Sequence, residues 1–196
     1  MRIAIKFMGF VFCFAALFAG RSAAMEATPV AIPLAPKVAE AKAFIQKNHL
    51  RDEVAILVDL SKPSDEKRWF VVDLKSGQTV YAACVAHGKG SGRGRFATVF
   101  SDSSATYCST LGKCEVVGSY NGKHGLSYKL RGLEAGTRNV EKKAIVIHSA
   151  WYVEEPFIQK YKRAGNSWGC PALSRESLKD CAAYLKPKTL FWAYNR

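Results

Sequence analysis

The chain has 196 residues, of which 29 are basic and 16 acidic, so its formal net charge is +13 at pH 7. With 48% hydrophobic residues, it has enough apolar material for one domain with a sizeable core. No segment approaches the ~20 consecutive apolar residues of a membrane-spanning helix, which excludes a polytopic membrane protein.

The first 24 residues have the pattern of a secretory signal peptide. Arg2 and Lys6 precede an apolar run over residues 7–19, and small residues follow at 22–24. We expect cleavage after Ala24 and export to the periplasm or cell wall, with an uncleaved anchor as the alternative. No stable membrane span would then remain.

The expected mature chain, residues 25–196, carries 26 basic and 16 acidic residues, a net charge of +10. This excess favours anionic partners. For an exported protein, anionic wall polymers or membrane surfaces are the expected partners and nucleic acid is not, because nucleic acid is scarce outside the cytoplasm. The alternative is a solvated basic surface with no partner.

Three prolines predict an extended linker over residues 25–36, so that the domain begins at 37. Apolar residues at helical spacing then predict an amphipathic helix that ends near Asn48. Four strands are expected next, the first three as an antiparallel meander: 54–60, 69–74, 79–85 and 96–101. Residues 101–119, rich in Ser, Thr and Gly, predict a lid-like loop.

Glycine alternates with other residues from Gly88 to Gly94. This spacing fits neither Gly-x-x-x-x-Gly-Lys-Ser/Thr nor Gly-x-Gly-x-x-Gly, which excludes a nucleotide site. We interpret the segment as a basic loop. It is either simply exposed or placed so that Lys89, Arg93 and Arg95 pair with substrate carboxylates.

The strongest candidates for chemistry lie in the segment 143–173. Residues 144–147 predict a buried strand that ends at His148, and Cys170 follows in a Ser-Trp-Gly-Cys-Pro sequence. Only a thiolate is nucleophilic, and an adjacent imidazole can accept the thiol proton. The alternative is a core cysteine and a core histidine that do not meet.

The residues that precede Cys170 suit an acyl-transfer site. Gly169 places no side chain beside the sulfur, so a carbonyl could approach. The backbone N–H groups of Trp168, Gly169 and Cys170 are candidate donors to an oxyanion. Ser149 is expected to orient His148 through its backbone carbonyl.

The remaining elements are expected to be structural. Residues 157–162 predict a short helix, a second helix should begin behind Ser174, and residues 190–194 predict a final strand. Glu154 and Glu155 are adjacent, so on an extended chain their side chains point in opposite directions, and we interpret them as solvated charges.

These residues resemble the murein L,D-transpeptidase catalytic domain family (YkuD-like), whose signature is a histidine followed by Ser/Thr-His-Gly-Cys. Here His148 is followed by Ser167-Trp168-Gly169-Cys170, with Trp168 in the place of the second histidine, as in the branch with Ser-x-Gly-Cys-Pro-Ala. The resemblance spans residues 54–194. It implies a mainly β (α+β) fold, a β-sandwich or barrel with one helix before the sheet and one after the cysteine.

The resemblance also implies functional roles. Cys170 would be the nucleophile and His148 the general base, with Trp168 and Gly169 as backbone oxyanion donors. The Gly-Lys-His-Gly segment of this branch implies that Lys123 and His124 lie near the cysteine. Apart from the resemblance, we also expect substrate contacts from three further residues, so the expected substrate-binding residues are Lys123, His124, Arg131, Trp151 and Ser167.

The implied function is an L,D-transpeptidase that joins peptidoglycan stem peptides through a cysteine thioester, by 3-3 links or through the first stem residue. No cofactor is expected, and the scattered histidines and cysteines show no metal-ligand spacing. An L,D-carboxypeptidase, in which water resolves the thioester, is one alternative. A non-catalytic peptidoglycan-binding module is the other.

Four cysteines of the mature chain remain beside Cys170, and export favours disulfides among them. They are Cys84, Cys108, Cys114 and Cys181. Cys108 and Cys114 flank a short polar loop and are the expected bridge, although four cysteines allow three pairings. The sequence does not determine the oligomeric state.

Overall fold

The computed structural model describes residues 34–196. The expected signal peptide and all but the end of the expected linker lie outside the described residues. The first element is helix α1 (Ala35–Asn48), which begins two residues before the expected domain start. Pro36 fits in its first turn because that position needs no intrahelical N–H donor.

Ten strands and two further helices follow α1. The strands are β1 (Val54–Asp59), β2 (Trp69–Asp73), β3 (Thr79–Ala83), β4 (His87–Gly88), β5 (Gly112–Gly122), β6 (Gly125–Gly132), β7 (Val146–Ser149), β8 (Asn166–Ser167), β9 (Ala172–Leu173) and β10 (Leu190–Tyr194). The helices are α2 (Glu155–Tyr161) and α3 (Arg175–Cys181). Short 3-10 turns lie at Ala135–Thr137 and Trp151–Val153.

Eight strands form one sheet in the order β3-β2-β1-β10-β5-β6-β7-β9, and β4 pairs with β8 in a separate ribbon. Ala86, just after β3, bridges to Ala172 on β9. The two edges of the large sheet therefore approach each other, and the sheet is a nearly closed barrel. Over residues 34–196 the fold is mainly β with three helices, as the sequence predicted.

Strand β1 serves two cores because its consecutive side chains point to opposite faces. Ile56 and Val58 enter the barrel core, whereas Ala55 and Leu57 pack on the outer face beneath α1. A strand buried on both faces has no need of polar alternation. The continuous apolar sequence of β1 follows from this position at the centre of the sheet.

The predicted antiparallel meander is present, since β1 pairs with β2 and β2 with β3 in antiparallel register. The predicted strand at 96–101 is absent. The N–H groups of Thr98 and Val99 donate to Ser91 O in the glycine-rich loop, so the segment is fixed by a loop and not by a neighbouring strand. The expected lid is also shorter, because β5 begins at Gly112.

Strand β7 begins two residues later than predicted and includes His148. The cause is a turn in which Ala144 has a φ of +51° and its N–H donates to Glu141 O. A left-handed residue cannot continue a strand. The imidazole therefore belongs to the paired part of β7, which fixes its backbone more firmly than a strand end would.

All five cysteines in residues 34–196 are free thiols. The expected bridge between Cys108 and Cys114 is not formed because the two side chains have different surroundings. Cys114 lies on β5 in the barrel core, whereas the Cys108 sulfur is directed at Thr106 O at 3.6 Å.

Within residues 34–196, no helix combines the length and the apolar character that crossing a membrane requires.

Candidate active site

Cys170 lies beside the start of β7 and is half-buried. The backbone N–H of Val146 donates to Cys170 Sγ at 3.5 Å, and the thiol is directed at Ala144 O at 3.8 Å. Strands β7 and β9 pair in parallel, with His148 opposite Ala172. Val146, whose N–H contacts the sulfur, lies two positions before His148 on the same strand.

The thiol is protonated in the resting structure at neutral pH. Burial raises the pKa of Cys170 above its usual value, and the Val146 N–H together with the charges of Lys123 and Lys143 opposes this rise without cancelling it. Lys143 is held nearby because its Nζ donates to Ser101 O at 2.7 Å and to Thr110 Oγ1 at 2.9 Å. A base is therefore required to form the thiolate.

His148 is suited to be that base. Its ring is almost fully buried, and burial lowers its pKa below the usual value. The hydrogen bond to Ser149 O opposes this fall, and the electrostatic influence of His124 and Lys123 adds to it. The imidazole is therefore neutral at pH 7, which is the form that can accept a proton.

The tautomer of His148 follows from its contacts. Nδ1 lies 2.9 Å from Ser149 O, and a carbonyl can only accept, so Nδ1 carries the hydrogen. Nε2 then holds the lone pair, and it makes no hydrogen bond to any residue that the structure describes. Ser149 thus lies where the sequence analysis expected an orienting carbonyl.

No hydrogen bond joins His148 to Cys170 within residues 34–196. The sulfur is instead directed at Ala144 O at 3.8 Å, which is a longer contact than the 3.5 Å between Sγ and Val146 N. Catalytic hydrogen bonds are often long in structures without substrate and tighten only in the complex.

The turn before Cys170 depends on Gly169. Its φ is +114°, and a Cβ there would lie 2.7 Å from Cys108 O. The neighbouring strand approaches as closely, since a Cβ on Gly88 would lie 2.8 Å from Gly169 Cα. Glycine is required at 169 by both conformation and space.

Ser167 fixes the same turn from within and does not face the cleft. The side chain is buried, its hydroxyl donates to Cys170 O at 2.6 Å, and it accepts the Gly169 N–H at 3.1 Å. Two of the expected roles therefore change. Ser167 is buried and its hydroxyl bonds within the turn, so its position does not support a contact with substrate, and the Gly169 N–H already donates to Ser167 Oγ, so its position does not support a role as oxyanion donor.

The remaining backbone donors are those of Trp168 and Cys170, which bond to nothing in residues 34–196. The Trp168 ring is 65% exposed and lies edge-on against Tyr107, with ring centroids 5.3 Å apart. Lys89 Nζ lies 4.0 Å from the centroid of Tyr107 and 4.8 Å from that of Trp168. The residue in the place of the second histidine is thus part of an exposed aromatic and cationic cluster.

An open cleft of ≈ 360 Å³ begins at His148. Its walls come from the β5–β6 hairpin tip, the turn after β7 and the start of α3. The lining residues are Lys123, His124, His148, Ser149, Ala150, Trp151, Tyr152, Glu154 and Arg175. The structure therefore brings Lys123, His124 and Trp151 together with His148, and Cys170 is not among the residues that line this cleft.

Arg131 is not among the residues that line this cleft. It lies on β6 opposite Glu115 of β5, and its Nε donates to Glu115 Oε1 at 2.8 Å. An opposite-charge pair across two strands accounts for both residues. The expected contact of Arg131 with substrate is therefore not supported by its position.

Three lining residues were not predicted, namely Ala150, Glu154 and Arg175. Glu154 was interpreted as a solvated charge, yet it is half-buried and its Oε1 accepts the Arg175 N–H at 2.9 Å. The signal in the sequence was weak, because Glu154 and Arg175 are 21 residues apart. Only the packing of the 3-10 turn against α3 brings them together.

A family model for the L,D-transpeptidase catalytic domain matches residues 31–194. No curated protein sequence matches the chain. Among solved structures, the fold is similar to an L,D-transpeptidase from Mycobacterium smegmatis at 12% identity, with a TM-score of 0.44 and coverage of 72% of this chain and 58% of that one.

Two other solved structures are similar at comparable levels. The L,D-transpeptidase from Stackebrandtia nassauensis is 18% identical, with a TM-score of 0.42 and coverage of 85% of this chain and 69% of that one. The helical cell shape determining protein from Campylobacter jejuni is 12% identical, with a TM-score of 0.45 and coverage of 78% and 53%. The chain thus spans between 53% and 69% of the length of these three proteins.

Proposed function

The chain belongs to the L,D-transpeptidase catalytic domain family, and from this premise we propose that it is a peptidoglycan L,D-transpeptidase with Cys170 as its nucleophile. The observation that carries the proposal is the position of the thiol at the edge of β7. Val146 N–H contacts Sγ, and His148, with its Nε2 available, lies two residues further along the same strand.

The first half-reaction transfers an acyl group from a donor stem to the enzyme. His148 Nε2 takes the proton of the Cys170 thiol, and the sulfur attacks the L,D-amide carbonyl after the third stem residue. The C–N bond then breaks, and His148 gives the proton to the departing amine of the terminal D-alanine. A thioester on Cys170 remains.

The charges of the site favour general-base catalysis over a preformed thiolate and imidazolium. Burial raises the pKa of Cys170 and lowers that of His148, so both groups are neutral before substrate binds. The proton therefore moves as the sulfur attacks. The Cys170 N–H is the proposed donor to the oxyanion, a role whose loss costs roughly 3 to 4 kcal/mol in comparable sites.

The second half-reaction resolves the thioester. An amine of a second stem attacks the carbonyl and loses a proton to His148, the C–S bond breaks, and the sulfur regains the proton. The link is 3-3 when the amine belongs to the third stem residue. With water as the attacking group the same thioester yields a trimmed stem, which is the L,D-carboxypeptidase outcome.

The proposed setting is the periplasm or cell wall, where peptidoglycan stems are available to an exported chain. The excess of 26 basic over 16 acidic residues after position 24 suits an anionic polymer. The proposed chemistry needs no cofactor, because the thiol and the imidazole supply both the nucleophile and the proton transfer.

To test the proposal, the purified protein is incubated with tetrapeptide stems and the masses of the products are determined by mass spectrometry. A product of two stems less one alanine identifies a transpeptidase, and free tripeptide identifies a carboxypeptidase. The Cys170→Ala variant, shown to be folded by circular dichroism, should give neither. Binding of the stem by the native protein without formation of any product would instead identify a peptidoglycan-binding module.

A further inference from the structure

The cleft beside His148 contains two opposite charges that do not neutralise each other. Arg175 is exposed, and its guanidinium makes no ion pair or hydrogen bond with any other residue in 34–196. Glu154 accepts the backbone N–H of Arg175 through Oε1, and its Oε2 has no partner within the described chain. Both side chains line the cleft that begins at the proposed base.

Packing and not salt bridging explains how these groups are held. The Glu154 carboxylate satisfies the first N–H of α3, which fixes it at the junction of the 3-10 turn and the helix. This bond occupies one oxygen and leaves the charge directed at the cleft. A carboxylate and a guanidinium therefore line the same cleft, and both are able to bind a ligand there.

The walls of the cleft suit a small polar ligand. Trp151 is 72% exposed and stands on the rim, braced edge-on by Tyr152 and Phe157 at centroid distances of 5.7 and 5.4 Å. A braced ring can contact a cation with its face. The ≈ 360 Å³ of the cleft is at the lower end of the range of small-molecule sites.

The chemistry of these groups defines the ligand class. A carboxylate binds an ammonium, and a guanidinium binds a carboxylate by two parallel hydrogen bonds. A ligand that satisfies both carries an ammonium and a carboxylate on the same carbon. The open end of a diaminopimelate side chain is such a group, whereas the amine of a first stem residue has an amide in place of the carboxylate.

We propose that this cleft is the acceptor subsite, that Glu154 binds the ammonium of an acceptor amino-acid group, and that Arg175 binds its carboxylate. The inference rests on the proposed function, because an acceptor has meaning only if a thioester forms. The bound ammonium loses a proton to water, and the resulting amine attacks the thioester from the His148 end of the cleft. The subsite selects 3-3 links over links through the first residue.

The subsite is tested on acyl-enzyme formed beforehand with a tetrapeptide stem, so that the rate of acylation does not enter. D-Alanine and D-alaninamide serve as small acceptors, since they differ only in the carboxylate. The measured quantity is the ratio of two products: the one formed when the added amine attacks the thioester (trapping), and the one formed when water hydrolyses it. We expect the native protein to favour D-alanine over the amide by about tenfold, the effect of one charge-assisted contact.

Two variants separate the two charges. Arg175→Gln should abolish the preference for D-alanine over its amide. Glu154→Gln, which keeps an oxygen to accept the Arg175 N–H, should lower trapping by both acceptors about tenfold. Glu155→Gln is the matched control, because Glu155 is the next residue and does not line the cleft.

The outcomes distinguish this inference from the proposed function. A thioester that forms normally, with trapping ratios unchanged in both cleft variants, overturns the acceptor subsite alone. Absence of any thioester in the native protein overturns the proposed function and the subsite together. The subsite is also overturned if Glu155→Gln lowers trapping by the acceptor amines as much as Glu154→Gln does. Removal of any negative charge in this region would then explain the loss, whether or not the residue lines the cleft.

Discussion

The imidazole rings of His124 and His148 are stacked, with centroids 4.3 Å apart and planes inclined by 22°. His124 lies at the tip of the β5–β6 hairpin, between Gly122 and Gly125, so this tip covers the proposed base. The sequence predicts His124 near Cys170, and the structure places its ring against His148. Positive charge on the hairpin tip lowers the pKa of His148.

The first prediction concerns the pH dependence of turnover. His124→Phe keeps an aromatic ring against His148 and removes the electrostatic influence by which His124 lowers the pKa of His148, so that pKa should rise. Because the base acts in its neutral form, the acid limb of the pH–rate profile should move to higher pH in the variant. The measurement is the rate of alanine release between pH 4.5 and 8. An acid limb that stays in place or moves to lower pH would show that His124 does not act on the base through charge.

The second prediction concerns the turn that holds the nucleophile. Ser167→Ala removes the hydroxyl that bonds to Cys170 O and Gly169 N–H, so turnover should fall at least about tenfold while the domain stays folded, with a stability loss of roughly 1 to 3 kcal/mol. Ser104→Ala, on an exposed loop residue, is the control. Full activity in Ser167→Ala would mean that the turn is fixed without the hydroxyl.

The third prediction compares two glycines under the same substitution. Gly169→Ala meets Cys108 O at 2.7 Å with a φ of +114°, whereas a Cβ on Gly94 meets nothing within 4 Å. Urea unfolding should show a loss of at least ~2 kcal/mol for Gly169→Ala and little change for Gly94→Ala. Equal stability of the two variants would contradict the close packing of the turn.

The fourth prediction concerns stability in acid. His87 is fully buried, Arg68 Nη2 donates to its Nδ1 at 2.9 Å, and Nε2–H donates to Gly92 O at 2.9 Å. Burial and the charges of Arg68 and Arg163 lower the pKa of His87 to about 4. Between pH 6.5 and 4 the unfolded chain therefore binds a proton that the folded chain does not, and stability falls as pH falls.

The size of this effect is about 3 kcal/mol over the whole window. Urea unfolding at pH 7, 5.5 and 4.5 should show the loss, and His87→Gln should reduce its slope. An NMR titration of the His87 ring in the native protein gives an independent check. A midpoint near 6.5 for that ring would contradict the prediction.

Elements set by local pattern were predictable from the sequence. The meander strands, α1, β10 and the start of α3 behind Ser174 follow from apolar periodicity, turn residues and capping, all of which act within a few residues. The Ser174 hydroxyl does accept the Ser177 N–H at 3.0 Å, as a capping residue should. The fold class followed from the same local signals together with the family resemblance.

Features set by distant contacts were not predictable. Residues 96–101 have the composition of a strand, but the available partner is Ser91 O in a loop. Arg131 donates a hydrogen bond to Glu115 on the neighbouring strand, and the Ser167 hydroxyl bonds to the backbone of its own turn. Glu154 and Arg175 meet only through packing of elements that no short pattern connects.

The most direct test of the account is the mass of the intact protein after brief reaction with a tetrapeptide stem or a carbapenem, followed by peptide mapping. We expect one adduct per chain, carried by Cys170, absent in Cys170→Ala and formed far more slowly in His148→Gln. No adduct on the folded native protein, or an adduct on another cysteine that survives Cys170→Ala, would contradict it.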